Sequence, residues 1–174
     1  DAELRDRLGS SGAVVVEGPK AVGKTETARR IAASSVLLDV DANARQAAAV
    51  DASLVLGGSV PRLIDEWQVE PSLWNHVRRA VDERQAPGQF VLTGSSVPTD
   101  DVARHTGAGR FSFLRMRPMS LFESGHTNAG VSLAALLAGE APHCKDPGIT
   151  VSDLADRLTI GGWPGQQPRS VAAP

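Results

Sequence analysis

The sequence predicts a three-layer α/β domain in which helices cover both faces of a parallel β-sheet. Three observations lead to this class. A β-branched run at residues 14–16 leads directly into a glycine-rich turn and a helical stretch. Short apolar runs then alternate with amphipathic helical segments, which is the pattern of strands joined by crossover helices. Polar residues follow several of the apolar runs, and the carboxyl ends of parallel strands meet at one edge of a sheet.

The composition is that of one ordinary soluble domain. Of the 174 residues, 41% are hydrophobic and 22% are charged, which is enough apolar chain for a real core. The formal net charge of −2 gives no overall electrostatic reason to expect binding to nucleic acid or to an anionic membrane. No apolar run is long enough to span a membrane and no signal-peptide pattern opens the chain, so we expect a cytoplasmic location and no membrane partner. The single cysteine, Cys144, excludes an internal disulfide.

The most specific motif is Gly-x-x-x-x-Gly-Lys-Thr at residues 18–25. Backbone N–H groups of such a turn can wrap an anion that also faces the positive end of the next helix, so the pattern indicates a phosphate-binding loop. Lys24 would reach the β- and γ-phosphates of a nucleotide, and the Thr25 hydroxyl would hold Mg²⁺. A Gly-Pro turn before an ordinary helix is the alternative, which the preceding strand and the amphipathic segment at residues 25–34 disfavour. The residues predicted to bind the nucleotide are Gly18, Pro19, Lys20, Ala21, Val22, Gly23, Lys24, Thr25 and Thr27.

A second buried strand is predicted at residues 36–41, where acidic residues end an apolar run. Asp39 and Asp41 could assist the metal or cap the alanine-rich helix predicted at residues 42–50. Capping is favoured because aspartate so often begins a helix. The other elements predicted in this region are a lead-in helix at residues 2–10 and a turn at residues 51–59.

Residues 61–68, Pro-Arg-Leu-Ile-Asp-Glu-Trp-Gln, predict a third strand that ends in two carboxylates. In nucleotide hydrolases with a phosphate-binding loop, the first carboxylate of such a pair joins the Mg²⁺ shell, and the second polarises a water aimed at the γ-phosphate. We therefore assign Asp65 to the metal and Glu66 to the water. A surface turn with two acids is the alternative, and the earlier loop, with one strand pattern in between, argues against it.

The fourth predicted strand, at residues 89–96, ends in hydroxyl groups. It follows a helix that begins at Pro71 and ends before Pro-Gly. Thr93 and Ser95 are the candidates to sense the γ-phosphate or the attacking water, and a simple strand-end turn is the alternative. The apolar stripe of the helix consists of Leu73, Trp74, Val77, Ala80 and Val81, and we expect it in the core.

A glycine-rich turn at residues 105–110, His-Thr-Gly-Ala-Gly-Arg, lies between a short helix predicted at residues 100–104 and a fifth strand at residues 111–117. Such a turn can carry an arginine finger, a cation that completes the site of a neighbouring subunit in a homo-oligomer. Arg110 is the first candidate and Arg104 the second. An ordinary surface charge is an equally favoured alternative.

Five blocks of sequence together carry a resemblance to a known family. They are residues 18–25, Leu-Ile-Asp-Glu-Trp-Gln at 63–68, Leu-Thr-Gly-Ser at 92–95, Gly-Ala-Gly-Arg-Phe at 107–111 and Arg-Pro-Met-Ser-Leu-Phe-Glu at 117–123. In this order they resemble the prokaryotic AAA-type ATP-binding proteins whose second half is the domain of unknown function 4143, over about residues 4–165. The resemblance implies a P-loop NTPase fold of the additional-strand class, with a five-stranded parallel sheet and with ATP and Mg²⁺ as ligands. In that class a further strand separates the two motif strands, whereas related small-molecule kinases pair them directly.

We expect two parts in the chain. Residues 1–130 form the ATPase core, and residues 131–174 form a small helical lid or bridge toward a C-terminal domain that this chain lacks. The expected activity is ATP hydrolysis at a Walker A and Walker B site. Hydrolysis would drive remodelling or DNA-linked work through the absent domain, or it would be slow and operate a switch on a protein partner. A small-molecule kinase is least favoured, because no acceptor pocket can be recognised.

Overall fold

The computed structural model describes residues 2–94, 107–127, 130–144 and 148–167. The chain divides into two compact units, Asp1–Met116 and Arg117–Pro174. Five strands of the first unit form one all-parallel sheet in the order β2-β3-β4-β1-β5, so the predicted α/β class is confirmed. The strands are β1 (Ala13–Glu17), β2 (Ser34–Leu37), β3 (Arg62–Asp65), β4 (Phe90–Thr93) and β5 (Phe111–Arg115).

Helices cover both faces of this sheet. They are α1 (Ala2–Ser10), α2 (Lys24–Arg29), α3 (Ala42–Val50), α4 (Ser53–Leu56) and α5 (Leu73–Arg84), with a one-turn 3₁₀ helix at Trp67–Val69. Successive strand residues point to opposite faces. Val14 and Val16 accordingly pack with α1 and α2, whereas Ala13 and Val15 pack with α3, α4 and α5. The core therefore lies in two layers, one on each side of the sheet.

The order of the strands separates the two strands that carry the phosphate-loop and carboxylate motifs. β4 lies between β1, which precedes the glycine-rich loop, and β3, which ends at Asp65. The inserted strand that the resemblance implies is therefore present. It is not the strand that lies between the motifs along the chain, because β2 pairs with β3 and stands at one end of the order of the described strands.

Two boundaries near β2 differ from the prediction. α2 ends at Arg29 rather than near residue 34, because the N–H groups of Ile31 and Ala32 both donate to the Ala28 carbonyl and close the helix in a tight turn. β2 then begins and ends earlier than predicted, at Ser34–Leu37. The Asp41 side chain accepts a hydrogen bond of 2.9 Å from the Ala44 N–H at the start of α3, so the capping interpretation is confirmed.

Within the described part of the second unit there are two helices, α6 (Leu133–Leu137) and α7 (Val151–Ile160), and a 3₁₀ turn at Pro164–Gln166. α7 starts in a capping box, in which the Thr150 hydroxyl accepts from the Asp153 N–H and the Asp153 carboxylate accepts from the Thr150 N–H. Across the residues that the structure describes, every helix is too short or too polar to cross a membrane.

Candidate phosphate-binding and catalytic site

Three polar segments meet at the carboxyl edge of the sheet. The strand register sets Val16 beside Thr93, and Thr93 beside Asp65, near the ends of β1, β4 and β3. The glycine-rich loop leaves the sheet directly after β1. Because parallel strands end at the same edge, residues far apart in the chain are gathered at one place.

The loop follows a backbone path that glycine makes possible. Gly18 has φ +148°, and a Cβ at this position would overlap the carbonyl oxygen of Met116. Gly23 has φ +100° and ψ +14°, a left-handed conformation immediately before α2 begins. Side chains disfavour both conformations, so the two fixed glycines of the motif are needed where they stand.

Lys24 is the buried cation of the site, with 6% of its surface exposed. Its Nζ donates hydrogen bonds to the carbonyl oxygens of Gly18 at 2.9 Å and Pro19 at 2.8 Å, so the ammonium group lies over the loop. Burial lowers the pKa of Lys24 below its ordinary value, and the nearby carboxylates of Glu66 and Asp65 oppose that shift. A cation held in this way is suited to phosphate oxygens.

Asp65 joins the loop helix to the neighbouring strand. Its Oδ1 accepts a hydrogen bond of 2.9 Å from Thr25 Oγ1 at the start of α2. The same oxygen accepts a hydrogen bond from Thr93 Oγ1 at the end of β4. Asp65 is 6% exposed and Thr93 is 1% exposed, so this cluster is shielded from solvent. The structure thus brings together three of the residues that were predicted separately from the sequence.

Glu66 turns the chain sharply after β3. Its φ of +53° and ψ of +46° place it in the left-handed region, and the 3₁₀ helix that begins at the buried Trp67 follows. The Glu66 Oε2 accepts a hydrogen bond from Gln68 Nε2. Gln68 belongs to the sequence block at residues 63–68 that carries the family resemblance, but no role was predicted for it. Its position two residues after Glu66 is the feature of the sequence that points to this contact.

A magnesium ion fits the donor atoms at this edge. The Thr25 hydroxyl and the Asp65 carboxylate are hard oxygen donors that already lie side by side. Within the described ranges no group of three or more His, Cys, Asp or Glu residues could hold a metal by itself. Mg²⁺ commonly uses one or two protein ligands and takes the others from nucleotide phosphates and water. The residues therefore suit an ion that is shared with a nucleotide.

Arg110 lies away from these groups within its own chain. Its carbonyl oxygen accepts from the Ala13 N–H, 3.1 Å away, at the amino edge of the sheet, opposite the edge that carries Asp65. Its Nε donates to Asp82 Oδ1 at 2.8 Å, which lowers the pKa of Asp82 and raises that of Arg110. A role for Arg110 in a neighbouring subunit's site stays a prediction.

The other predicted site residues differ in their surroundings. Val22 is 3% exposed and belongs to the core, whereas Lys20 and Ala21 are exposed. Thr27 is half-buried on α2, where its N–H donates to the Gly23 carbonyl. Ser95 and Arg104 lie outside the described residues, as does the helix predicted at residues 100–104.

The five-stranded parallel sheet, the glycine-rich loop after β1 and the strand inserted between β1 and β3 define an α/β fold of the P-loop NTPase class. The family model described as an AAA domain matches residues 10–124, which contain this whole site. The chain belongs to that AAA domain family. A comparison with curated proteins returned no match.

Proposed function

We propose that this protein binds ATP with Mg²⁺ and hydrolyses the bond to the γ-phosphate, with residues 18–25 as Walker A and Asp65-Glu66 as Walker B. The observation that supports this most directly is the convergence on Asp65. Its Oδ1 accepts from the hydroxyls of Thr25 and Thr93, so the loop, the carboxylate strand and the inserted strand are joined at one atom.

The loop supplies the binding energy for the nucleotide. Lys24 exchanges the carbonyl oxygens of Gly18 and Pro19 for phosphate oxygens, which carry more charge and form stronger hydrogen bonds to an ammonium group. The buried position favours this exchange, because charged phosphate oxygens stabilise a buried ammonium group more than neutral carbonyl oxygens do. The residues that would surround the phosphates are Gly18, Pro19, Lys20, Ala21, Val22, Gly23, Lys24, Thr25 and Thr27.

Thr25 and Asp65 hold the metal, which when bound neutralises charge on the β- and γ-phosphates. Glu66 accepts the proton of the attacking water, or orients that water, as it is directed at the γ-phosphate. Its carboxylate lies close enough to Lys24 to influence the pKa of that ammonium group, which supports a position facing the phosphates. Either Thr93 or Ser95 senses the γ-phosphate.

Arg110 would complete the site of a neighbouring subunit in a homo-oligomer. Its guanidinium side chain is 40% exposed, so a second subunit could reach it. The products would be ADP and inorganic phosphate, which takes up the oxygen of the attacking water. The energy released would serve remodelling or DNA-linked work, or slow turnover would control a protein partner.

The deciding experiment is steady-state ATP turnover of the protein and of its Glu66→Gln variant, with and without DNA. We expect the variant to bind ATP normally and to turn over about 10²- to 10⁴-fold more slowly, the usual contribution of a general base. Turnover at the wild-type rate in the variant would refute the role of Glu66. Stimulation by DNA would favour DNA-linked work, and slow turnover indifferent to DNA would favour the switch.

A further inference from the structure

Gln68 lies between the two strand ends that carry the proposed catalytic groups. Its side chain is half-buried and its Nε2 donates to Glu66 Oε2. Its other amide atom, Oε1, is buried, and among the residues that the structure describes it has no hydrogen-bond partner. A buried amide oxygen without a partner is unfavourable, so the placement of this amide needs a reason beyond the packing of the chain.

The local backbone brings Gln68 back toward Glu66. Glu66 adopts the left-handed conformation, and Trp67 buries its ring and starts a single 3₁₀ turn. The Trp67 ring packs on Trp74, with centroids 5.2 Å apart, which anchors this turn to α5. The two side chains on either side of Trp67 can therefore meet above the end of β3.

Gly94 makes room for the amide on the other side. It directly follows Thr93, and a Cβ there would overlap Gln68 Oε1 and lie 3.2 Å from Gln68 Cδ. The end of the inserted strand β4 thus contacts the same amide that holds Glu66. The Gln68 side chain therefore lies next to both the proposed base, Glu66, and the residue that follows the proposed phosphate sensor, Thr93.

We infer that Gln68 is a positioning residue that fixes the Glu66 carboxylate for water activation, and that Gly94 sets the position of the Gln68 amide. This inference rests on the proposed function. A carboxylate on a left-handed turn has several rotamers available, and one directed donor selects among them. Misplacing a catalytic group by about 1 Å can reduce a rate on the order of a hundredfold.

Two substitutions disturb this contact from opposite sides. Gln68→Met keeps the length of the side chain and removes the donor. Gly94→Ala keeps the donor and pushes the amide away. The strain is small because Gly94 does not have a positive φ, because the two crowded atoms end the flexible Gln68 side chain, and because the next neighbour, Trp67 Nε1, lies at an ordinary contact distance of 3.4 Å. Gly57→Ala is the matched control, since a Cβ at Gly57 meets nothing within 4 Å.

The test measures kcat, KM and ATP affinity of these variants in the wild-type and Glu66→Gln backgrounds. We expect Gln68→Met and Gly94→Ala each to lower kcat by about tenfold to a hundredfold, with ATP affinity unchanged and with Gly57→Ala at the wild-type rate. Gly94→Ala should add nothing once residue 68 is methionine, and Gln68→Met should add nothing to Glu66→Gln.

Three outcomes would overturn the inference. An unchanged or higher kcat in both variants would show that Gln68 does not position Glu66. A further loss from Gln68→Met in the Glu66→Gln background, or a loss of ATP affinity, would assign Gln68 a structural role. A wild-type rate in Glu66→Gln itself would remove the proposed base, and the inference with it, so the two failures are distinguishable.

Discussion

Thr25 Oγ1 lies 2.9 Å from Asp65 Oδ1, although 40 positions separate the two residues in the sequence. The contact links the first turn of α2 to the end of β3 across the width of β4. These are the two atoms that the proposed function assigns to Mg²⁺. The protein by itself therefore holds the two ligands in contact. Their preorganisation reduces the loss of side-chain conformational entropy when the metal binds.

Replacing Thr25 with valine should separate metal use from nucleotide binding. The change keeps the shape and removes the hydroxyl, so we expect the gain in ATP affinity that Mg²⁺ provides to shrink by at least about tenfold. ATP titrations with Mg²⁺ and with a chelator measure this gain. Thr25→Ser is the control, because it keeps the hydroxyl and should therefore keep the gain. An undiminished Mg²⁺ effect in Thr25→Val would contradict the assignment.

The buried ammonium group of Lys24 should make stability depend on alkaline pH. Because burial lowers the pKa of Lys24 in the folded state, the unfolded chain binds more protons between that pKa and the ordinary value for lysine. The free energy of unfolding of the wild type should therefore rise with pH in this window, relative to Lys24→Met. Urea denaturation of both proteins without nucleotide, at neutral and alkaline pH, measures the difference. A difference that did not change with pH would mean that the folded-state pKa is not lowered.

Two glycines should respond to alanine in opposite directions. At Gly18 the added Cβ meets the Met116 carbonyl oxygen and φ is +148°, so we expect a loss of about 1–3 kcal/mol in the free energy of unfolding. Gly9 lies in α1 with nothing within 4 Å of an added Cβ, so Gly9→Ala should gain about 0.5–1 kcal/mol. Chemical denaturation compares the two. Equal effects at both positions would contradict the close approach of Gly18 to the Met116 carbonyl oxygen, which directly follows β5.

Arg110 provides a test of action between subunits. If it completes a neighbour's site, turnover per subunit should rise with protein concentration, and Arg110→Ala should abolish that rise while leaving ATP affinity intact. Arg29→Ala is a suitable control, because Arg29 also forms an exposed ion pair, with Glu26 at 3.1 Å. A rate independent of concentration in the wild type would exclude this role for Arg110.

Much of the sheet edge could be predicted because its signals are local. A strand pattern reveals where its carboxyl end lies, and parallel strands bring those ends together, so Asp65 and Thr93 could be placed near the loop before any contact was known. The same rule places Arg110, which directly precedes β5, at the opposite edge. The separation of Arg110 from Asp65 within one chain can therefore be predicted from the strand pattern as well.

The contact between Gln68 and Gly94 could not be predicted in this way. It depends on β3 and β4 being neighbours and on the left-handed turn at Glu66, and neither leaves a local pattern. The position of β2 was also predicted wrongly. β2 begins at the polar residues Ser34 and Ser35, which an edge strand tolerates. The apolar run continues past the end of β2 to the buried Leu38, so the hydrophobic pattern placed the strand too late in the chain.

The inserted strand has a consequence for mutations far from any ligand. Two interstrand steps of about 4.8 Å separate β1 from β3, so β4 acts as a spacer that sets the gap between the phosphate loop and the carboxylates. Phe90, Val91 and Leu92 are fully buried in it, two on one face and one on the other. Substitutions among these core residues would change the distance between the loop and the carboxylates, although none of the residues contacts the substrate. Variants with reduced turnover would then be found in the middle of the core as well as at the site.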